Sequence, residues 1–256
     1  MSVVGIFDSG LGGLLTARLL RERRPDITIL YYGDTAHLPY GDKSPAQIRS
    51  YVRGIVGFLR EEGAEMIAIA CNTASAVAYD TACEAAKGAP VLSAIQPALS
   101  AFERRRYPEP VGVIGTYTTI RSGIYGKALQ SIDYVVRELA TPVLVPLIEE
   151  GWIDHPATEA AIDTYLTQLG EVGTLLLACT HYPLIEASIA RFYAKRGQKV
   201  SLLSTAALLA EEIARIVLPA EGEGTLSFWV SDDNPRFLEL AQHFWGAPIS
   251  PALAVR

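Results

Sequence analysis

Two cysteines in matched surroundings carry the chemistry that this sequence can do. Cys71 follows the run Ile67-Ala68-Ile69-Ala70 and precedes Asn72-Thr73; Cys179 follows Leu175-Leu176-Leu177-Ala178 and precedes Thr180-His181. A cysteine acts as base or nucleophile only as the thiolate, and the free thiol titrates near about 8.5. Both positions read as strand-to-helix turns, where the positive end of the following helix would favour the thiolate. Asn72, Thr73, Thr180 and His181 are compact hydrogen-bonders that could hold a carboxylate beside each sulfur. Further upstream, Gly5-Ile6-Phe7-Asp8-Ser9 resembles Gly112-Val113-Ile114-Gly115-Thr116, and nearly the same interval separates Ser9 from Cys71 as Thr116 from Cys179. The chain therefore reads as two similar α/β halves. Each presents one cysteine at the carboxyl end of a strand, the end where open parallel sheets bind ligands.

Two cysteines facing each other across a cleft admit four chemistries. A disulfide is disfavoured in a chain that reads as a cytoplasmic protein with reduced thiols. A zinc site from Cys71, Cys179 and His181 lacks a closely spaced cysteine pair. A Cys-His nucleophile for acyl transfer, with His181 as base, is the serious rival. The fourth is two-base proton transfer, in which one sulfur removes a proton from carbon and the other delivers one to the opposite face. The duplicated surroundings supply the mirror symmetry that this needs, whereas a hydrolase has no use for a second matched cysteine.

Other polar residues gather near strand ends. Asp8-Ser9-Gly10 with Gly12-Gly13 forms a glycine-rich turn that lacks both the Lys-Ser/Thr of a phosphate loop and the Rossmann glycine spacing. Ser9 could bind a substrate amine or carboxylate, with Asp8 near a thiol. Asp34–Gly41 reads as a functional loop, with His37 taken as structural, and either Glu149 or Glu150 could orient His181. Cys83, in an alanine-rich helix, reads as packing, and His155 and His243 as surface residues.

The elements that must position these groups alternate short apolar runs with helical patterns, which predicts parallel sheets flanked by helices. Strands are expected at Val3–Phe7, Thr28–Tyr32, Met66–Ala70, Val91–Ile95, Val111–Gly115, Thr174–Ala178, Val200–Leu203 and Leu226–Val230. Ser44-Pro45-Ala46-Gln47 predicts a capped helix start, and Ser231-Asp232-Asp233-Asn234-Pro235 a second. The apolar run Val143–Ile148 precedes the Glu149-Glu150 pair. The 256 residues suffice to bury a core without disulfides, and 22 Lys plus Arg against 28 Asp plus Glu give a net charge of −6. The basic clusters Arg21–Arg24 and Arg104–Arg106 read as helix C-termini, so nucleic acid is not an expected partner. No run is apolar for the roughly 20 residues a bilayer demands, and Val3–Phe7 begins a strand where a leader would lie.

The motifs GIFDSGLGG (5–13), YYGDTAHLPYGDKS (31–44), ACNTASA (70–76), GTYTTIRSGIY (115–125), VPLIEEG (145–151), ACTHYPLI (178–185) and SDD (231–233) together resemble the glutamate racemases, within the cofactor-independent aspartate/glutamate racemase superfamily. The resemblance spans essentially the whole chain. It implies two α/β domains related by a pseudo-twofold axis, with the active site between them: residues 1–95 plus 205–256, carrying Cys71, and residues 96–204, carrying Cys179. It implies interconversion of L- and D-glutamate by proton transfer at the α-carbon, without pyridoxal phosphate or metal, supplying D-glutamate for peptidoglycan. Cys71 and Cys179 would be the acid/base pair, Asp8 assisting Cys71, and His181 with Glu149 assisting Cys179. Substrate contacts would fall on Asp8, Ser9, Tyr40, Gly41, Asn72, Thr73, Thr116, Thr119, Thr180 and His181. A homodimer in the cytoplasm is expected. Two positions depart from the family pattern: Ala178 stands where glycine is usual, trimming the pocket by a methyl group, and Leu203-Ser204 replaces Asp-Ser at the crossover. Rival readings are an aspartate racemase or another isomerase of the superfamily, and a Cys-His hydrolase or amidase.

Overall fold

The computed structural model describes residues 2–232, 235–247 and 252–253. Its strands are β1 (Val3–Asp8), β2 (Thr28–Gly33), β3 (Met66–Ile69), β4 (Val91–Ser93), β5 (Val111–Gly115), β6 (Val136–Ala140), β7 (Thr174–Ala178), β8 (Ser201–Ser204), β9 (Leu226–Val230) and β10 (Ala252–Leu253). They form two sheets, in the orders β10-β9-β2-β1-β3-β4 and β6-β5-β7-β8, and every pairing is parallel. The expected α/β class is the observed one. The repeat seen in the motifs also has a topological counterpart, because β2-β1-β3-β4 and β6-β5-β7-β8 are the same arrangement made twice.

Continuous apolar strands are explained by helices on both faces. In the first sheet Val4, Ile6, Ile29 and Met66 pack with Leu14, Ala17 and Leu20 of the helix Leu14–Arg23. Phe7, Leu30, Ile67 and Ile69 pack on the opposite face with the helices Pro45–Glu61 and Asn72–Ala85. The second sheet repeats the pattern. Ile114, Leu175 and Leu177 face Ile162, Leu166 and Ile189, while Val113 and Leu176 face Ala98, Phe102 and Leu129. The helix Thr205–Ile216 packs on both Leu14–Arg23 and Ile95–Arg104, tying the two halves together.

Ser44 caps Pro45–Glu61 as expected: Gln47 N–H donates to its Oγ at 3.3 Å, and its own N–H donates to Gln47 Oε1 at 3.1 Å. The helix Pro235–Trp245 exists, but the expected start at Ser231–Pro235 runs through 233 and 234, outside the described residues. Two expectations, the extent of Val91–Ile95 and the packing role of Cys83, need correction. Val91–Ile95 is a shorter strand, because Ile95 opens the next helix. The run Val143–Ile148 forms the helix Leu144–Glu149. Cys83 is exposed, because its helix turns that position to solvent, so it is not a packing residue. His155 is exposed and also caps the helix Pro156–Leu169, its Nδ1 accepting from Ala157 N–H at 3.1 Å.

Candidate active site

The first and central strands of each half end in the same place. Asp8 closes β1 and Ser9 follows it; Cys71 lies just past β3; Thr116 follows β5; Cys179 follows β7. One pocket is lined by Ser9, Tyr40, Gly41, Cys71, Asn72, Thr73, Thr116, Glu149, Cys179, Thr180 and His181, together with Pro39 and Val145. Of the residues expected at the site, Asp8 and Thr119 stand one hydrogen bond behind this lining, through Thr180 and Thr73 respectively. Pro39 and Val145 were not singled out, because apolar residues inside a motif carry no chemical signal of their own.

Glycine is required where the halves touch. A Cβ at Gly12 would overlap Thr180 Oγ1 and fall 2.8 Å from His181 Nδ1, so the turn after β1 can reach the second half only without a side chain. The glycine-rich turn thus serves close packing of the two halves of the chain, not phosphate binding.

The two sulfurs differ electrostatically. Cys71 caps the helix Asn72–Ala85, its sulfur accepting from Ala74 N–H at 3.4 Å and its thiol donating to Ser9 Oγ at 3.6 Å. Burial and the neighbouring Asp8 nonetheless push the Cys71 thiol up to about 12. The helix dipole expected to favour thiolate is outweighed by desolvation. Cys179 does not cap a helix: a short 3-10 turn, Tyr182–Ile185, follows it before the helix Glu186–Ala194. Its partner is His181, with Nδ1 3.9 Å from Sγ. His181 Nε2 lies 3.2 Å from Glu149 Oε1, so Glu149 is the carboxylate that orients the ring. Burial alone would lower the His181 pKa, but Cys179 and Glu149 raise it well above the ordinary histidine value. A thiol held toward its neutral form by burial therefore faces a sulfur whose neighbouring histidine is drawn toward its charged form.

The remaining polar groups form linked sets. Asp8 accepts from Gly10 N–H at 3.1 Å and from Thr180 Oγ1 at 3.2 Å, and burial raises its carboxyl pKa. Asp8 thus contacts Thr180 directly and reaches Cys71 only through its charge. The hydroxyls of Thr73, Thr116 and Thr119 lie 2.9, 3.4 and 3.0 Å apart in a triangle. Asn72 spends its amide on the protein, accepting from Tyr125 at 2.6 Å and donating to Thr205 at 3.0 Å. Tyr40 is buried and donates to Asp34 at 2.5 Å. Asp34 also accepts from Ser231 at 2.7 Å and contacts His37 at 2.8 Å, while His37 stacks on Tyr51, away from the cysteines. Both departures from the family pattern are accommodated outside the pocket. The Ala178 methyl packs in the core with Val113 and Leu176, and Ser204 caps Thr205–Ile216 by accepting from Ala207 N–H at 3.3 Å. Among the described residues, no group of three or more His, Cys, Asp and Glu side chains is gathered as a metal ion would require.

Paired cysteines at the strand ends of a duplicated parallel sheet define a class of racemase. The model of the Asp/Glu/Hydantoin racemase family matches residues 15–213, and the chain belongs to that family. Its similarity is to the glutamate racemases: that of Neisseria meningitidis serogroup B is 38% identical, over 95% of this chain and 92% of its own. The structure of the Francisella tularensis glutamate racemase in complex with D-glutamate superposes with a TM-score of 0.89 at 30% identity, covering 99% of this chain and 96% of that one. The Thermus thermophilus glutamate racemase in complex with β-chloro-D-alanine gives 0.86 at 35% identity, covering 100% and 96%. No helix among the described residues is long and apolar enough to cross a membrane.

Proposed function

We propose that this chain interconverts L- and D-glutamate by two-base proton transfer, Cys71 and Cys179 working on opposite faces of the α-carbon. One observation carries the reading: the two cysteines occupy equivalent strand ends of a repeated topology and line a single pocket. A thiolate on one side takes the α-proton, and the thiol on the other delivers its own to the opposite face. Each turnover leaves the two sulfurs with exchanged protonation states. His181, held cationic and oriented by Glu149, acts on the Cys179 side; Asp8 and Ser9 act on the Cys71 side. Ser9, Gly41, Thr73, Thr116, Thr180 and the backbone around Tyr40 and Asn72 offer neutral hydrogen bonds to the substrate's two carboxylates, with Thr119 acting through Thr73. Strand membership supports division into two domains, residues 1–95 plus 205–256 and residues 96–204. Family resemblance supports a cytoplasmic homodimer that supplies D-glutamate for peptidoglycan.

The test is incubation of the purified, metal-stripped protein with L-glutamate in deuterated water. D-glutamate carrying deuterium at the α-carbon is the expected product. D-glutamate without α-deuterium, or turnover that needs added pyridoxal phosphate or metal, would overturn the reading. Glutamate should also exceed aspartate in kcat/KM, since the shorter side chain leaves donors at the far end unpaired.

A further inference from the structure

The pocket that holds the cysteines encloses only about 20 Å³, room for roughly one water molecule, so it must widen to admit an amino acid. Its lining contains no Lys or Arg. The chain as a whole carries −6, and His181, the one basic side chain of the lining, is paired with Glu149 at 3.2 Å, so the pocket offers an incoming anion no unpaired cation. Directly outside lies a far larger cavity of about 730 Å³, walled on one side by Asp42, Lys43 and Ser44 and on the other by Thr118, Arg121 and Ser122. Gly41 lines both spaces. The partition between them is slight: Thr118 Oγ1 donates to Gly41 O at 2.8 Å, and a Cβ on Gly41 would come within 3.1 Å of Thr116 Cβ.

The side chains of Lys43 and Arg121 have no hydrogen-bond or ion-pair partner among the described residues, and Asp42, the acid of this lining, pairs with neither. Free cations on both walls of a concave space concentrate field there and raise the local concentration of an anionic ligand. They also come from different halves of the molecule, Lys43 from the loop after β2 and Arg121 from the helix Tyr117–Ser122 after β5. We propose that this outer cavity is an anion vestibule, in which Lys43 and Arg121 capture glutamate by its carboxylates before the Gly41–Thr118 contact parts to admit it to the cysteines. This rests on the chain being a glutamate racemase.

The test compares the unmodified protein with Lys43→Gln/Arg121→Gln, neither residue lying in the cysteine pocket. In the unmodified protein, kcat/KM for glutamate should fall as sodium chloride is raised, because screening weakens the attraction. In the double variant, kcat/KM at low salt should drop about tenfold for both enantiomers, with kcat unchanged and the salt dependence flattened. Lys43→Arg/Arg121→Lys should retain both. Elimination from β-chloro-alanine, which has no net charge, should lose far less than racemisation of glutamate. A double variant with unchanged kcat/KM and salt slope overturns the vestibule, as does an equal loss on the neutral substrate. Absence of racemisation in the unmodified protein overturns the functional reading and the vestibule with it.

Discussion

The Tyr125 hydroxyl donates to Asn72 Oδ1 at 2.6 Å, joining the second half of the molecule to the residue next to Cys71. Asn72 Nδ2 donates in turn to Thr205 Oγ1, which donates to the Leu177 carbonyl at 3.2 Å, two residues before Cys179. One buried chain of hydrogen bonds thus runs from the neighbourhood of one sulfur to that of the other. Tyr125→Phe removes a single oxygen and leaves Asn72 Oδ1 buried without this donor, at a cost of about 1–3 kcal/mol. The melting temperature should fall by about 2–4 °C for each of those kcal/mol. Calorimetry checks this, and kcat/KM should fall several-fold for both enantiomers because Asn72 positions Cys71.

Gly12 and Gly57 should respond oppositely to the same substitution. Gly12→Ala drives a methyl into Thr180 and His181, so racemisation should fall by two orders of magnitude or more. Gly57, within the helix Pro45–Glu61, has nothing within 4 Å of its added Cβ. Gly57→Ala should stabilise the protein by about 0.5–1 kcal/mol through helix propensity, with activity unchanged. Urea unfolding and kcat/KM on both variants decide it.

The strands and cysteines were legible because buried parallel strands are apolar throughout and because the motif appears twice. β6 was not: Val136-Arg137-Glu138-Leu139-Ala140 lies at a sheet edge with Arg137 and Glu138 exposed, so it mixes polar and apolar residues. At the site, residue types named the participants but not their partners. Nothing in the sequence shows that Asn72 turns its amide to Tyr125 and Thr205, or that Asp8 bonds Thr180 rather than Cys71. Those pairings are set by how the halves meet, across sequence separations that local patterns do not encode. Desolvation is equally invisible in a motif, which is why the thiolate expected at Cys71 is a thiol.

That thiol has a consequence for alkaline stability. Its pKa is raised to about 12 in the folded protein, whereas an unfolded cysteine titrates near about 8.5. The unfolded chain therefore loses this proton first as pH rises. The contribution is fully present below about 8.5 and is lost progressively toward about 12. Tyr31 and Tyr125, also raised by burial, act in the same direction, so the difference between the unmodified protein and Cys71→Ala isolates the cysteine. Unfolding free energies above pH ~9 should fall more steeply in the unmodified protein, by up to about 1.4 kcal/mol per pH unit.

Glu149 should set the charge of His181. Its carboxylate raises the imidazole pKa, so Glu149→Gln, which keeps an oxygen near Nε2, should lower it. Nuclear magnetic resonance titration of the ring reads this directly. If imidazolium supports Cys179, the sulfur that the family resemblance assigns to L-glutamate, the alkaline limb of the pH profile for that enantiomer should move to lower pH. The profile for D-glutamate should move less. An unshifted ring titration would mean that Cys179 alone holds the proton on His181.

Removing one cysteine separates two-base transfer from nucleophilic catalysis. Cys71→Ala or Cys179→Ala should each abolish racemisation, because no acid remains on the far face of the carbanion. A substrate with a leaving group on the β-carbon changes the requirement: after the α-proton is removed it eliminates, and the second sulfur is not needed. With Cys71 acting on the D-enantiomer and Cys179 on the L-enantiomer, as the family resemblance implies, Cys179→Ala should still eliminate chloride from β-chloro-D-alanine, and Cys71→Ala from β-chloro-L-alanine. Each general acid–base group contributes about 10²–10⁴-fold, so the surviving face should remain far above background. An acyl-transfer enzyme would behave otherwise, since loss of its one nucleophile would abolish everything and loss of the other cysteine would matter little. Pyruvate release, measured for each variant on each enantiomer, gives the mirror-image pattern only if the two sulfurs work on opposite faces. Full racemisation in either variant, or elimination without enantiomer preference, would remove the two-base mechanism.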